Sequence, residues 1–188
     1  MPDSLLKILL KNSFRYDPSG GFLLSSGKKS DVYIDAKKTV LSFGGMVLTG
    51  RAFFERIKDK DIDGIGGLTL GADPLAYAAA IISNLEGKPL SVFIVRKEAK
   101  KHGTQRWIEG PLKKGARVVI VDDVVTTGQS TIKAIEKARE AGFEVIKAIA
   151  LVDREEGGRE NIERYCKFES IFTKKDLLDL HKKEIPDS

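Results

Sequence analysis

A single cysteine, Cys166, in 188 residues excludes an intramolecular disulfide and any cysteine-rich metal site. Histidine is almost as scarce, with only His102 and His181. That scarcity decides how to read Gly67-Leu-Thr-Leu-Gly71, which has the spacing of a nucleophile elbow with threonine at its centre. One histidine falls in a basic loop and the other in the last helix, so neither stands where a triad needs its base. Position 69 lacks the glycine of a dinucleotide fingerprint, and Ala72-Asp73 replace the Lys-Ser/Thr pair of a P-loop. Long apolar runs are also missing. Met1 to Lys11 carries charge throughout and is too short in its apolar part for a signal peptide or a membrane span. A soluble cytoplasmic protein, with no membrane and no nucleic-acid partner, is the expectation.

What is present is the alternation of a parallel α/β fold. Ile62 to Gly67, Leu90 to Val95, Arg117 to Val121 and Val145 to Val152 read as strands. Between them, Asp73 to Leu85 is a helix with Pro74 in its first turn, and Gln129 to Ala141 is a helix stopped by Gly142. A strand near Phe168 to Phe172 and a helix from Lys174 to Lys183 close the chain. This pattern predicts one domain over 1–188: an N-terminal helix and hood in 1–40, an α/β core in 62–173 with a mainly parallel sheet flanked by helices, and a C-terminal helix and tail in 174–188. In the hood, Leu5, Ile8 and Leu9 mark one face of a short helix, and Phe22 to Ser25 with Val32 to Asp35 read as two short strands.

In open parallel sheets, ligands bind beyond the carboxyl ends of the strands. Here those ends are Thr69 to Asp73, Arg96 to Gly103, Asp122 to Ser130 and Asp153 to Gly158, all polar or containing glycine. After the strand ending at Val121 come Asp122, Asp123, Val124, Val125, Thr126, Thr127, Gly128, Gln129 and Ser130, which enter a helix. Free backbone N–H groups, three hydroxyls and the positive end of the helix dipole suit a phosphate, and Gly128 allows close approach. The two aspartates would repel that phosphate and suit sugar hydroxyls instead. The plainer alternative for the stretch taken alone is a strand-ending turn with a capped helix. The net charge of +5 is compatible with an anionic ligand without requiring one. Basic residues cluster, with Glu98 as the one acid among them, around Lys97 to Arg106, inside a stretch from Arg96 to Gly110 that has no apolar periodicity and two glycines, Gly103 and Gly110, suited to hinges. Its donors Arg96, Lys97, Lys100 and His102 suit a departing diphosphate. Arg154, just past a strand, can grip a carboxylate through two parallel hydrogen bonds, although a surface arginine beside Glu155 and Glu156 is the plainer alternative.

The segment Arg117-Val-Val-Ile-Val-Asp-Asp-Val-Val-Thr-Thr-Gly-Gln-Ser-Thr131 resembles the signature of the type I phosphoribosyltransferases, which bind 5-phosphoribosyl 1-diphosphate. Leu24-Ser-Ser-Gly-Lys-Lys-Ser30 with Tyr33-Ile-Asp35, Gly67-Leu-Thr-Leu-Gly-Ala-Asp-Pro74, Arg96-Lys-Glu-Ala-Lys-Lys-His-Gly103 and Asp153-Arg154 are similar to the orotate-using branch of that family, in the expected order along most of the chain. The resemblance implies magnesium-dependent transfer of ribose 5-phosphate to orotate, with the metal held mainly by substrate oxygens. It implies catalytic roles for Lys100, His102, Asp122 and Asp123. It further implies diphosphate contacts from Thr69, Leu70 and Gly71, orotate contacts from Thr126, Arg154, Lys28 and Tyr33, and a homodimer in which Lys100 and His102 reach the neighbouring subunit's site. Two alternatives follow from the same motifs: a phosphoribosyltransferase for another base, and a ligand-sensing regulator on this fold. Asp31, Val32 and Ser25 depart from the family's usual proline, aromatic and lysine, and Trp107 makes the basic loop bulkier than glycine-rich versions.

Overall fold

A computed structural model describes residues 2–23, 29–99 and 107–184. The chain opens with α1 (Pro2–Ser13), whose Leu5, Leu9 and Leu10 recur at helical spacing and are buried. Four short strands follow as the hood: β1 (Phe14–Tyr16), β2 (Phe22–Leu23), β3 (Lys29–Ser30) and β4 (Val32–Ile34). The pairing differs from the expected single hairpin. β2 pairs with β3, whereas β4 pairs antiparallel with β1, because the bend at Asp31 passes the chain from one ribbon to the other. Phe14-Arg-Tyr16 is too short to betray itself as a strand; it forms because Val32 and Ile34 bury one face of β4 and leave its edge to be paired. Two helices in a stretch with little periodicity, α2 (Lys37–Val40) and α3 (Gly45–Ile57), then lead into the core.

The core continues as β5 (Gly64–Leu68), α4 (Ala72–Leu85), β6 (Ser91–Val95), β7 (Ile108–Glu109), β8 (Arg117–Val125), α5 (Gln129–Glu140), β9 (Glu144–Asp153), α6 (Gly158–Glu163), β10 (Lys167–Thr173) and α7 (Lys174–Glu184). Its six-stranded sheet has the order β10-β9-β8-β5-β6-β7, parallel throughout except for the edge strand β7. Alternate residues of the strands feed two apolar layers, as period two requires. Val119 and Val121 pack toward α1, α3, α4 and α7, while Val118 and Ile120 pack toward α5 and α6. The main departure from expectation within the core is the length of β8. The aspartates break its apolar run at Val121, yet the strand continues because Asp122, Val124 and Val125 stay in register with Ala150, Val152 and Asp153 of β9. The sequence pattern also gave no sign of the edge strand β7 or of α6. No described helix is long and apolar enough to cross a membrane.

Topology fixes where a ligand can sit. From β5 the chain moves outward to β6, then returns to the other side of β5 as β8, so the strand order reverses between β5 and β8. The loops leaving those two strands at their carboxyl ends diverge and leave a crevice between them.

Candidate active site

The loop after β8 closes one side of this crevice. Asp122 and Val124 to Ser130 line a concavity of about 250 Å³. The backbone N–H groups from Thr126 to Ser130 have no acceptor among the described residues, so they are available to an anion at the start of α5. Gly128 makes the turn with φ +82°, and a Cβ there would lie 2.9 Å from Ile162 Cγ1 and 3.0 Å from the Gly158 carbonyl oxygen. Sequence reading missed this buttress: the Asn161 side-chain amide donates to the Thr127 carbonyl at 3.1 Å, and α6 supports the loop from beneath. Gly157-Gly158 is the sequence signal that two segments of the chain approach closely there.

The two aspartates have different surroundings. Asp122 is buried; its carboxylate accepts from the Thr131 hydroxyl at 2.7 Å and from the Asp123 N–H at 3.0 Å. Both oxygens are thus engaged within the protein, so Asp122 supports the loop from within. Asp123 faces the crevice with its side chain 13% exposed, accepting from Lys37 Nζ at 3.1 Å and from the Val124 N–H at 2.9 Å. Burial, and then the charge of Asp123, push the Asp122 carboxyl up from 3.8 to about 7. The folded chain therefore keeps a proton there over a range in which the unfolded chain has released it, so stability falls as pH rises from about 4 to 7 and levels off above. Asp122→Asn, whose Oδ1 can still accept from the Asp123 N–H while its amide donates to the Thr131 hydroxyl, is expected to melt several degrees above wild type at pH 8 and level with it near pH 4. Equal melting points at pH 8 would contradict this account.

Across the crevice is the turn after β5. The Thr69 N–H donates to the Val95 carbonyl at 2.8 Å and its hydroxyl to Asp73 at 2.6 Å, which leaves the backbone of Leu70 and Gly71 to meet a ligand. A Cβ on Gly71 would lie 2.6 Å from Asp123 Oδ1, so the turn packs directly on the outward aspartate. At the third strand end, Arg154 is only 3% exposed. Its guanidinium pairs with Glu156 at 2.9 Å and donates to the Ser30 hydroxyl at 3.1 Å and the Val32 carbonyl at 3.2 Å. It is not the surface arginine of the plainer alternative; it ties the hood to the core.

Residues 57–175 match the family model of the phosphoribosyl transferase domain. An orotate phosphoribosyltransferase of Aquifex aeolicus is 47% identical over 94% of this chain and 97% of its own length. The chain belongs to the orotate phosphoribosyltransferase family. An orotate phosphoribosyltransferase of Mycobacterium tuberculosis, solved in complex with 5-phospho-alpha-D-ribosyl 1-diphosphate, superposes with a TM-score of 0.76 at 33% identity, covering 94% of this chain and 98% of that one. The enzyme of Aeropyrum pernix does so with a TM-score of 0.76 at 35% identity, over 95% and 98%.

The family's remaining sites divide between described and undescribed residues. Lys28, Lys100 and His102 lie outside the described residues. Tyr33 stands on the exposed face of β4 with its ring 5.8 Å from that of Phe22. Arg96 is held at the neck of the basic loop: its N–H donates to the Trp107 carbonyl at 2.9 Å and its guanidinium pairs with Glu109 at 3.3 Å. The Lys97 side chain is exposed, and its carbonyl accepts from Lys133 Nζ at 2.8 Å. The same lysine lies 5.1 Å from the centre of the Trp107 ring, and Lys137 lies 4.5 Å from it. Trp107 thus has a physical role as the far side of the loop's neck, clasped by α5, whose own N-terminus borders the concavity after β8.

Proposed function

We propose that this chain transfers ribose 5-phosphate from 5-phosphoribosyl 1-diphosphate to orotate, releasing diphosphate and forming orotidine 5′-phosphate. The observation that carries the reading is the crevice between β5 and β8, with an anion cradle on one wall and an outward aspartate packed against the Gly71 turn on the other. In this reading the donor's 5-phosphate sits on the N–H groups from Thr126 to Ser130. Asp123 accepts from the ribose hydroxyls, and the Leu70-Gly71 backbone meets the diphosphate. Arg154 and Thr126 face the orotate, whose carboxylate is matched by a guanidinium fork. As the ring nitrogen of orotate attacks the anomeric carbon, the bond to the diphosphate oxygen breaks and negative charge grows on the leaving group. Lys100 and His102 supply the charge that receives it.

Magnesium fits this donor set as an ion carried by the substrate. The Asp122 oxygens are taken by Thr131 and backbone, Asp123 is paired with Lys37, and the described residues contain no cluster of three or more potential metal ligands. When bound it neutralises the diphosphate and makes it a better leaving group. The chain's contribution is to position that diphosphate at the Leu70-Gly71 turn.

A homodimer is part of the same proposal. Tyr77, Ile81 and Leu85 form an exposed apolar stripe along α4, and Phe43, Met46 and Val47 are exposed at the start of the neighbouring α3, with Phe43 fully open to solvent. This face is the one we assign to a second copy of the chain.

One assay tests these points together. With magnesium and donor, loss of orotate absorbance is expected, with uracil and adenine unused; consumption of adenine but not orotate would overturn the acceptor assignment. Lys100→Ala should lower turnover at saturation much more than it weakens orotidine 5′-phosphate binding. Mixing Lys100→Ala chains with Gly128→Ala chains should restore about a quarter of the wild-type sites if the loop crosses between subunits, because half the dimers are hybrids with one intact site each. No recovery on mixing would place Lys100 in its own subunit's site.

A further inference from the structure

The Lys37 side chain lies in the crevice, and none of the family motifs identified above contains it. Its ammonium is 3.1 Å from Asp123 Oδ2 and 3.3 Å from Asp35 Oδ1, with the side chain 41% exposed. Asp35 Oδ1 is buried and has no hydrogen-bond partner, so this ammonium is the charge nearest to it among the described residues. Asp123 is held from both sides: Lys37 reaches it from the hood, and the Gly71 turn packs on it from the core. The other oxygen of Asp123 takes the Val124 N–H, so the carboxylate has a fixed plane and direction.

We infer that Lys37 is a positioning residue for the reaction, fixing the direction of the Asp123 carboxylate for the ribose hydroxyls of the phosphoribosyl donor. The inference rests on the donor assignment made above. Lys37 is the cation between Asp35 and Asp123, and Asp122 adjoins Asp123 on β8. Without Lys37, the Asp123 carboxylate would lose its tether from the hood and be free to swing from the direction in which it accepts from a sugar hydroxyl. Partial burial pushes the Lys37 ammonium down, but Asp123 and Asp35 outweigh this and hold it above its ordinary range, so it remains a cation at working pH. Lys37 opens α2 directly after β4, the strand whose Val32 carbonyl is gripped by Arg154. The stretch from Ser30 to Lys37 therefore touches the groups assigned to both substrates.

The test is steady-state kinetics of Lys37→Met and Lys37→Arg at pH 7, with melting curves for each. For Lys37→Met, kcat/KM for the donor should fall about tenfold or more, the magnitude of one lost charge-assisted contact, while KM for orotate stays within about twofold of wild type. Lys37→Arg should restore most of the loss. An unchanged donor kcat/KM would overturn the inference. So would a lowered melting point with the donor and orotate constants worsening together, since that is the signature of a plain hood-to-core tie. If Lys37→Met does not fold, Lys37→Gln takes its place with the same split expected between donor and orotate constants, and an unchanged donor kcat/KM would overturn the inference equally. Wild-type protein that fails to use the donor at all would instead refute the donor assignment.

Discussion

Gly128→Ala is expected to reduce kcat/KM for the donor by on the order of a hundredfold to a thousandfold, the largest effect of any single methyl group in the molecule. Two causes act at one position. A non-glycine residue held at φ +82° pays about 1–2 kcal/mol in backbone strain. The new Cβ would also press on Ile162 Cγ1 and on the Gly158 carbonyl oxygen, and the latter is backbone that cannot rotate away. The loop must lift, and the N–H groups from Thr126 to Ser130 lose their common focus. Two charge-assisted hydrogen bonds at about 1.5–3 kcal/mol each account for the predicted loss. Gly157→Ala is the matched control. Its φ is +89°, but a Cβ there meets nothing within 4 Å, so it should lose a similar amount of stability from strain while retaining donor kinetics close to wild type. Equal kinetic damage from the two variants would show that strain alone, not the contact with α6, governs the cradle.

Arg154→Ala should affect both stability and acceptor binding. The guanidinium is buried and joins Glu156, the Ser30 hydroxyl and the Val32 carbonyl. Removing one member of a buried pair typically costs about 3–5 kcal/mol. Here the cost should be nearer 2, because Glu156 is partly exposed and Lys174 lies 3.8 Å from it to take up part of the charge. In a chain of this size that lowers the melting point by roughly 5 °C. If the same fork also receives the orotate carboxylate, KM for orotate should rise tenfold or more while the donor constants change little. Arg154→Lys should recover some stability without recovering orotate binding, since an ammonium cannot reproduce two parallel hydrogen bonds. A variant that is destabilised but binds orotate normally would reduce Arg154 to a clamp between hood and core.

The parts of the fold that were readable in advance were those in which chemistry and spacing act locally. The parallel strands showed as short apolar runs. α5 showed by its stop at Gly142, where φ is +84°. The loop from Thr126 to Ser130 stood out because hydroxyls and a glycine ahead of a helix suit an anion whatever lies around them. The hood was read less well, since two- and three-residue strands have too little sequence to carry a period, and their pairing depends on which edge a neighbour leaves open. The end of β8 was misplaced for a related reason: the partner strand β9, which is distant in sequence, extends the ladder through two aspartates that locally look like a loop.

Adjacent in sequence, Asp122 and Asp123 cannot be told apart by pattern. Alternation along β8 turns one toward Thr131 in the interior and the other toward the crevice, and only packing against α5 and the hood gives those faces their meaning. The same holds for Lys37, which lies 86 residues from Asp123 and carries no motif of its own. The sequence by itself therefore determined the kind of ligand, an anionic phosphoribosyl group, because motif chemistry is local. The tertiary structure decided which aspartate faces the crevice, which lysine pairs with it, and how deeply Arg154 is engaged, because burial and electrostatic pairing depend on residues brought together only by the crossing of the chain.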